Sequence, residues 1–233
     1  MRFDGKSVFL TGAASGVGKA THELFQNEGA KVVAVDITPA PDVIQCDITD
    51  TPAVVELVRS RGPFDVVLNV AGIVRVEHTL DVTMEQWNRQ IAVNLTAPFA
   101  NMQAALPGLI ERKGNIVNVG SIAGVRGQAY SAAYCASKGG IVMMSKGLAL
   151  EYARRGVRIN CVCPGGVNTP LVEGVAKALP ADLNEKLLQR TFNVLPPGFS
   201  DPSEIAEAIA YLASDAARSV TGAAFMIDGG IDS

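Results

Sequence analysis

S7-V-F-L-T-G-A-A-S-G-V-G-K-A-T-H-E-L-F25 is the stretch that decides the fold. Its opening run, Ser7 to Leu10, is apolar and short, as a buried strand is. From Val17 to Phe25 the apolar residues recur at helical spacing, and the joint between the two segments holds Gly12, Gly16 and Gly18. Glycines there permit a tight turn, close backbone approach to a ligand, and close packing of helix on strand. The first turn of a helix carries unpaired N–H groups and the positive end of the helix dipole, so this joint suits an anion such as a pyrophosphate. The spacing is G-x-x-x-G-x-G, not the G-x-G-x-x-G of the general dinucleotide fingerprint.

Outward from this unit, strands and helices alternate. Strand-like runs are K31-V-V-A-V-D36, V43-I-Q-C46, F64-D-V-V-L-N69, N115-I-V-N-V119, R158-I-N-C-V162 and A224-F-M-I227. Helix-like segments lie around 17–28, 52–60, 84–106, 130–154 and 202–213. Short, nearly continuous apolar strands separated by helices imply an α/β fold: a doubly wound Rossmann-type parallel sheet with helices on both faces, as a single domain over 1–233. Thr83 with Gln86 forms a capping-box pattern, Asp201-Pro202 suits a helix start, and Gly29 and Gly156 fall where helices end. Pro98 is expected to bend or split the 84–106 helix.

Composition bounds the function. The 233 residues are 48% hydrophobic and 18% charged with a net charge of −3, which excludes a disordered chain and gives no basic surface for nucleic acid. No apolar run approaches the ~20 residues of a membrane span. M1-R-F-D-G-K6 does not read as a signal peptide, so a cytoplasmic protein is expected. The four cysteines show no C-x-x-C spacing and His22 and His78 lie far from them in sequence, so no metal is expected. Cys161 and Cys163 alternate in a strand and read as buried thiols.

In sheets of this kind ligands bind beyond the strand C-terminal ends. The glycine loop, with Gly12, Ser15, Gly16, Val17 and Gly18, follows the first strand. The second ends in Asp36, a carboxylate that accepts adenosine-ribose hydroxyls and repels a 2′-phosphate; a helix-capping or solvated Asp is the competing reading. Neither Ser15 nor Ile37-Thr38 supplies a cation for that phosphate, so NAD is expected as cofactor over NADP. Asp47 and Ile48 follow the third strand, placed for the adenine edge. Asn69, Ala71 and Gly72 follow the fourth, and Ser121 the fifth. Pro164, Gly165, Val167 and Thr169 shape the loop after the sixth, facing the nicotinamide carboxamide. Six strand ends thus converge on one ligand.

Y134-C-A-S-K138 follows Ser121 by thirteen residues. Positions i and i+4 share a helix face, so Tyr134 and Lys138 project into one site unless they are merely a surface pair. A tyrosine titrates near ~10, and a cation within ~4–6 Å lowers that value. The expectation is a Tyr134 phenolate favoured by Lys138 and by a cationic cofactor, and hence a hydride-transfer enzyme.

On T11-G-A-A-S-G-V-G18, V93-N-L-T96, Ser121, Y134-C-A-S-K138 and P164-G-G-V-N-T169 the chain resembles the short-chain dehydrogenase/reductase family, in its compact single-domain branch and over nearly its whole length. The resemblance implies an NAD(H)-dependent oxidoreductase that interconverts a secondary alcohol and a ketone, with Asn94, Ser121, Tyr134 and Lys138 as its catalytic tetrad. It implies Tyr134 as acid/base, a Lys138 that also bonds the nicotinamide ribose, and an Asn94 that holds a water between Lys138 and solvent. A polar plug near Pro98 is the alternative for Asn94. Val70 departs from a motif that often reads N-N-A-G, and a local packing difference with intact cofactor binding is expected.

For the small-molecule substrate, wall candidates are Val74, Ile122, Arg126, Gln128, Ser131, Gly166 and the stretch 171–195. The segment 171–197 is read as a lid, helical over A181-D-L-N-E-K-L-L188. Arg126 either anchors a substrate carboxylate or is a solvated loop arginine. Two alternatives are an NADPH-dependent 3-oxoacyl-thioester reductase and a non-catalytic dinucleotide-binding sensor. The apolar final strand and the segments G139-G-I-V-M-M144 and L148-A-L150 leave a helix face to cover. A two-fold helix interface follows, and the resemblance implies a homotetramer.

Overall fold

The computed structural model describes residues 1–232. Its strands are β1 (Ser7–Thr11), β2 (Lys31–Asp36), β3 (Val43–Gln45), β4 (Val66–Asn69), β5 (Asn115–Val119), β6 (Arg158–Pro164) and β7 (Ala224–Ile227). Its helices are α1 (Gly16–Asn27), α2 (Thr51–Arg61), α3 (Met84–Ile91), α4 (Ala97–Arg112), α5 (Ala132–Tyr152), α6 (Pro170–Lys177), α7 (Glu185–Gln189) and α8 (Pro202–Ala213). The strands form one parallel sheet in the order β3-β2-β1-β4-β5-β6-β7. Strand order reverses between β1 and β4, and a crevice opens at such a switch point.

Both faces of the sheet are covered, as the near-continuous apolar strands require. The period of two along β1 sorts its side chains. Val8 and Leu10 pack under α1 and α8 with Phe25, Ile205, Ile209 and Leu212. Phe9 packs on the opposite face with Val54, Val58, Leu106 and Leu109 of α2 and α4. Cys161 and Cys163 are buried in β6. Among the described residues no helix is long and apolar enough to cross a membrane.

The joint between β1 and α1 is closed to backbone contact. A Cβ at Gly18 would lie 1.9 Å from the Gly12 carbonyl oxygen, and one at Gly12 would lie 2.7 Å from Ala71 Cα. Neither position takes a side chain without moving backbone. The caps also follow the sequence pattern. Thr83 with Gln86 starts α3, Asp201 with Glu204 starts α8, and both are reciprocal capping boxes. Gly29 and Gly156 stand at positive φ after α1 and after the turn that ends α5.

Two elements differ from the sequence reading. The expected 84–106 helix is broken at 92–96 by a π-helical turn in which the Ala97 N–H donates to the Ala92 carbonyl. Pro98, in the first turn of α4, has no N–H to give to Asn94, so the disruption falls on the preceding turn. Beyond it α4 runs on to Arg112. The helix expected over 181–188 begins only at Glu185, because the Asn184 side chain accepts from the N–H groups of Lys186 and Leu187 and caps the helix there. As the helix-like segments of the sequence imply, β2 and β3 are joined by 37–42 without a helix, a return possible because β3 is only three residues long.

Candidate active site

The C-terminal ends of the strands open into one cleft of about 670 Å³, a size usual for small-molecule sites. Every cofactor position read from the sequence lines it except Asn69. Of the four tetrad residues, Ser121, Tyr134 and Lys138 line it and Asn94 does not.

The cleft floor is the start of α1. Ser15 stands at its N-cap with no side-chain hydrogen bond, and no acidic residue occupies the first turn. The first N–H groups of α1 therefore lack intrahelical partners and carry the positive end of the dipole. The Thr11 hydroxyl accepts from Val70 N (3.1 Å) and Ala71 N (3.2 Å), which seats the loop after β4 against β1. The Asp36 carboxylate accepts from Ala14 N (3.0 Å) and Thr38 N (2.8 Å). With one such bond per oxygen, it keeps lone pairs free toward the cleft. Asp47 accepts from the backbone and hydroxyl of Thr49, which hold its carboxyl below the usual range. The anion-favouring helix end, the glycines and the two carboxylates fit a dinucleotide.

Asn69 serves the core instead. Asn101 Nδ2 donates to Asn69 Oδ1 (3.0 Å), Asn69 Nδ2 to Asn118 Oδ1 (2.8 Å), and Asn118 Nδ2 to the Ser145 hydroxyl (2.8 Å). This buried chain ties β4, β5, α4 and α5 together. Asn94, in the π-helical turn, accepts from Ile73 N (2.9 Å) and donates to Ile73 O (2.9 Å) and Ser137 Oγ (3.0 Å). These are the contacts of a polar plug. Val70, the departure from the N-N-A-G motif, lines the cleft and packs on the core under α1 and α8.

Lys138 is 4% exposed and its ammonium donates to the Val119 carbonyl at 2.8 Å. The same nitrogen lies 5.8 Å from the centre of the Tyr134 ring. Burial lowers the lysine from 10.5 to about 8. Burial also raises the Tyr134 phenol, opposed by its hydrogen bond with Ser121. The expectation that Lys138 brings the phenol below its ordinary value is therefore not met by the pair alone. Both charged forms lose solvation, and for the phenol that cost exceeds the effect of its neighbours.

At the substrate end Val74, Ile122, Gln128 and Gly166 line the cleft, as do Leu171, Leu188 and Phe192 from the 171–195 stretch. Arg126 and Ser131 do not. The Arg126 guanidinium donates to the Ile231 carbonyl, and Ser131 is buried. Residues that motif reading passed over include Arg89, whose charge acts on Asp47, and Phe199. Arg89 comes to the cleft from α3, and no sequence spacing signals it.

A family model described as enoyl-(acyl carrier protein) reductase matches residues 12–232. The chain belongs to the short-chain dehydrogenase/reductase family. As a member it is an oxidoreductase acting between alcohol and carbonyl groups. It is 37% identical to the 2,5-dichloro-2,5-cyclohexadiene-1,4-diol dehydrogenase LinX of Sphingobium indicum, over 98% of this chain and 97% of the relative. It is 38% identical to the 3-oxoacyl-[acyl-carrier-protein] reductase FabG of Thermotoga maritima, over 99% of each. A crystal structure of a short chain dehydrogenase from Mycobacterium paratuberculosis bound to NAD superposes with a TM-score of 0.89 at 27% identity, covering 99% of both chains.

The buried lysine makes a prediction about stability. Lowering its value from 10.5 to about 8 costs the fold roughly 3 kcal/mol below pH 8. Between pH 8 and 10.5 the unfolded lysine still holds its proton while the folded one has lost it, so the cost fades as pH rises. Lys138→Met should therefore unfold with a higher free energy than wild type at pH 7, in urea denaturation. The gap should narrow toward pH 10; a gap independent of pH contradicts the assignment.

Proposed function

We propose that the enzyme is an NAD-preferring secondary-alcohol dehydrogenase and ketoreductase in which Tyr134 is the general acid and base. The observation that carries this reading is Tyr134 beside Ser121, one helical turn from the buried Lys138, with all three lining a glycine-floored cleft. The bound dinucleotide supplies the hydride acceptor or donor. Gly16, Val17 and Gly18 offer N–H groups to its phosphates, and Asp36 accepts from the adenosine ribose. In the oxidation direction Tyr134 takes the proton of the substrate hydroxyl. Ser121 donates to the substrate oxygen, a contact of the kind whose loss costs ~10²–10³ in rate. Lys138, fixed by Val119, places a positive charge beside the phenol and favours its anion.

NAD preference rests on Asp36. Its carboxylate is fixed by two backbone N–H groups and adds repulsion against a 2′-phosphate. The likeness to an acyl-carrier-protein reductase supports a second reading, reduction of a 3-oxoacyl thioester. Helices α6 and α7, with the connections around them up to 197, form a lid over the substrate end. Four free thiols suit a reducing cytoplasm.

Assembly as a homotetramer is supported by two apolar surfaces. On α4 and α5, Phe99, Met143 and Leu150 are 43%, 64% and 84% exposed. On the sheet edge, Phe225 and Met226 of β7 are also exposed. Two distinct patches, each paired with its own copy across a two-fold axis, would generate 222 symmetry.

Tyr134→Phe is expected to lower turnover to below about 1% of wild type while NAD affinity stays within about threefold, because only the ionisable oxygen is removed. Retained turnover would sink Tyr134 as the acid/base. Asp36→Ala should raise the NADP/NAD preference at least about tenfold, near 1.4 kcal/mol, in kcat/KM with both cofactors; an unchanged ratio would place the discrimination elsewhere. Light scattering of an active preparation at micromolar concentration should give four times the 24.4 kDa chain mass, and a monomeric mass refutes the assembly.

A further inference from the structure

We infer that the substrate is a neutral, apolar-bodied secondary alcohol bearing a second uncharged oxygen, and that the side-chain amide of Gln128 binds that oxygen. The inference rests on the reading of Tyr134 given above and adds the substrate class. Charge comes first. The charged side chains lining the cleft are Asp36, Asp47, Arg89 and Lys138. Asp36 and Asp47 stand at the ends of β2 and β3, with Arg89 acting on Asp47. The Lys138 ammonium is engaged by the Val119 carbonyl. Around Ser121 and Tyr134 no other charged group lines the cleft. Arg126 lies behind Ile122 and Thr191, in a side cavity of about 40 Å³, and bonds to the Ile231 carbonyl. Beyond Lys138, already engaged by Val119, no cationic side chain at this end meets an anionic substrate for the hydration it would lose.

The walls are apolar. Phe192 and Phe199 meet edge to face with ring centres 5.5 Å apart, and both line the cleft. Phe199 occupies the space a side chain at Gly166 would need, since a Cβ there would lie 2.6 Å from the ring. Val74 and Leu179 complete this end. A hydrocarbon body fits such a surface, and a polyol would leave hydroxyls unpaired against it.

Gln128 supplies the polar contact. Its carbonyl receives the Cys135 thiol at 3.6 Å, which places it at the first turn of α5, beside Tyr134. It is half-buried, and among the described residues its side-chain amide has no protein partner. The nearby Thr191 hydroxyl is already given to the Leu188 carbonyl at 2.7 Å. A carboxamide both donates and accepts without charge, so it suits a second hydroxyl or a ketone.

The test measures NADH formation from cyclohexane-1,2-diol, cyclohexanol and 2-hydroxycyclohexanecarboxylate. The expected kcat/KM for the diol exceeds that for cyclohexanol by about tenfold or more, and that for the carboxylate by about a hundredfold or more. Gln128→Leu should bring the diol down to the level of cyclohexanol, mainly through KM, and leave cyclohexanol within about twofold. The inference is overturned if the carboxylate matches the diol, or if Gln128→Leu lowers both alcohols alike. If only anionic alcohols or 3-hydroxyacyl thioesters react, and Tyr134→Phe abolishes that reaction, the substrate class is wrong while the role of Tyr134 stands. If no alcohol reacts, or Tyr134→Phe retains the rate, the role of Tyr134 fails and this inference fails with it.

Discussion

The bond from the Lys138 ammonium to the Val119 carbonyl is the contact on which the site depends. It pins α5 to the end of β5 and holds a positive charge away from water next to a phenol. The surrounding structure keeps it there by close approach. A Cβ at Gly124 would lie 2.4 Å from the Lys138 carbonyl oxygen, so the turn after Ser121 rests directly on the backbone of α5. One at Gly72 would lie 3.2 Å from the ammonium itself. Ser121, Tyr134 and Lys138 are therefore placed by backbone packing, with little freedom left to their side chains. Below them, the amide chain from Asn101 to Ser145 fixes the register of α5 on the sheet.

This arrangement is maintained against stability. A buried ammonium, a helix start without a side-chain cap, and asparagines in the core each cost more than apolar or capped alternatives. Such local conflicts with folding rules concentrate at functional sites. Here they follow one route, from the floor of the cleft at Ser15 to α5. Away from the cleft, α8 starts with a reciprocal capping box and turns an apolar face to the sheet.

Much of this was legible in the sequence, and the boundary has a physical cause. The strands were readable because burial on both faces makes them continuous apolar runs. The joint at Gly12 to Gly18 was readable because only glycine tolerates its backbone contacts. Strand ends then located the cleft without any side-chain geometry. What was hidden depends on tertiary surroundings. An asparagine looks the same whether it faces a ligand or a core partner, so Asn69 was assigned to the cofactor although it bonds Asn118 and Asn101. Arg126 offered a plausible anion anchor until the Ile231 carbonyl claimed it. Spacing reveals the cation beside Tyr134 and conceals the burial that raises the phenol in the protein alone. Arg89 reaches the cleft through the path of α3, which has no local signature.

The central claim is that Tyr134 acts as a phenolate in the working enzyme. Its most direct test is the ultraviolet difference titration of tyrosinate, wild type minus Tyr134→Phe, with the dinucleotide present. The account predicts ionisation of Tyr134 well below the ~10 of an ordinary tyrosine. Ionisation at or above that value, in a preparation that turns over substrate at neutral pH, would contradict it.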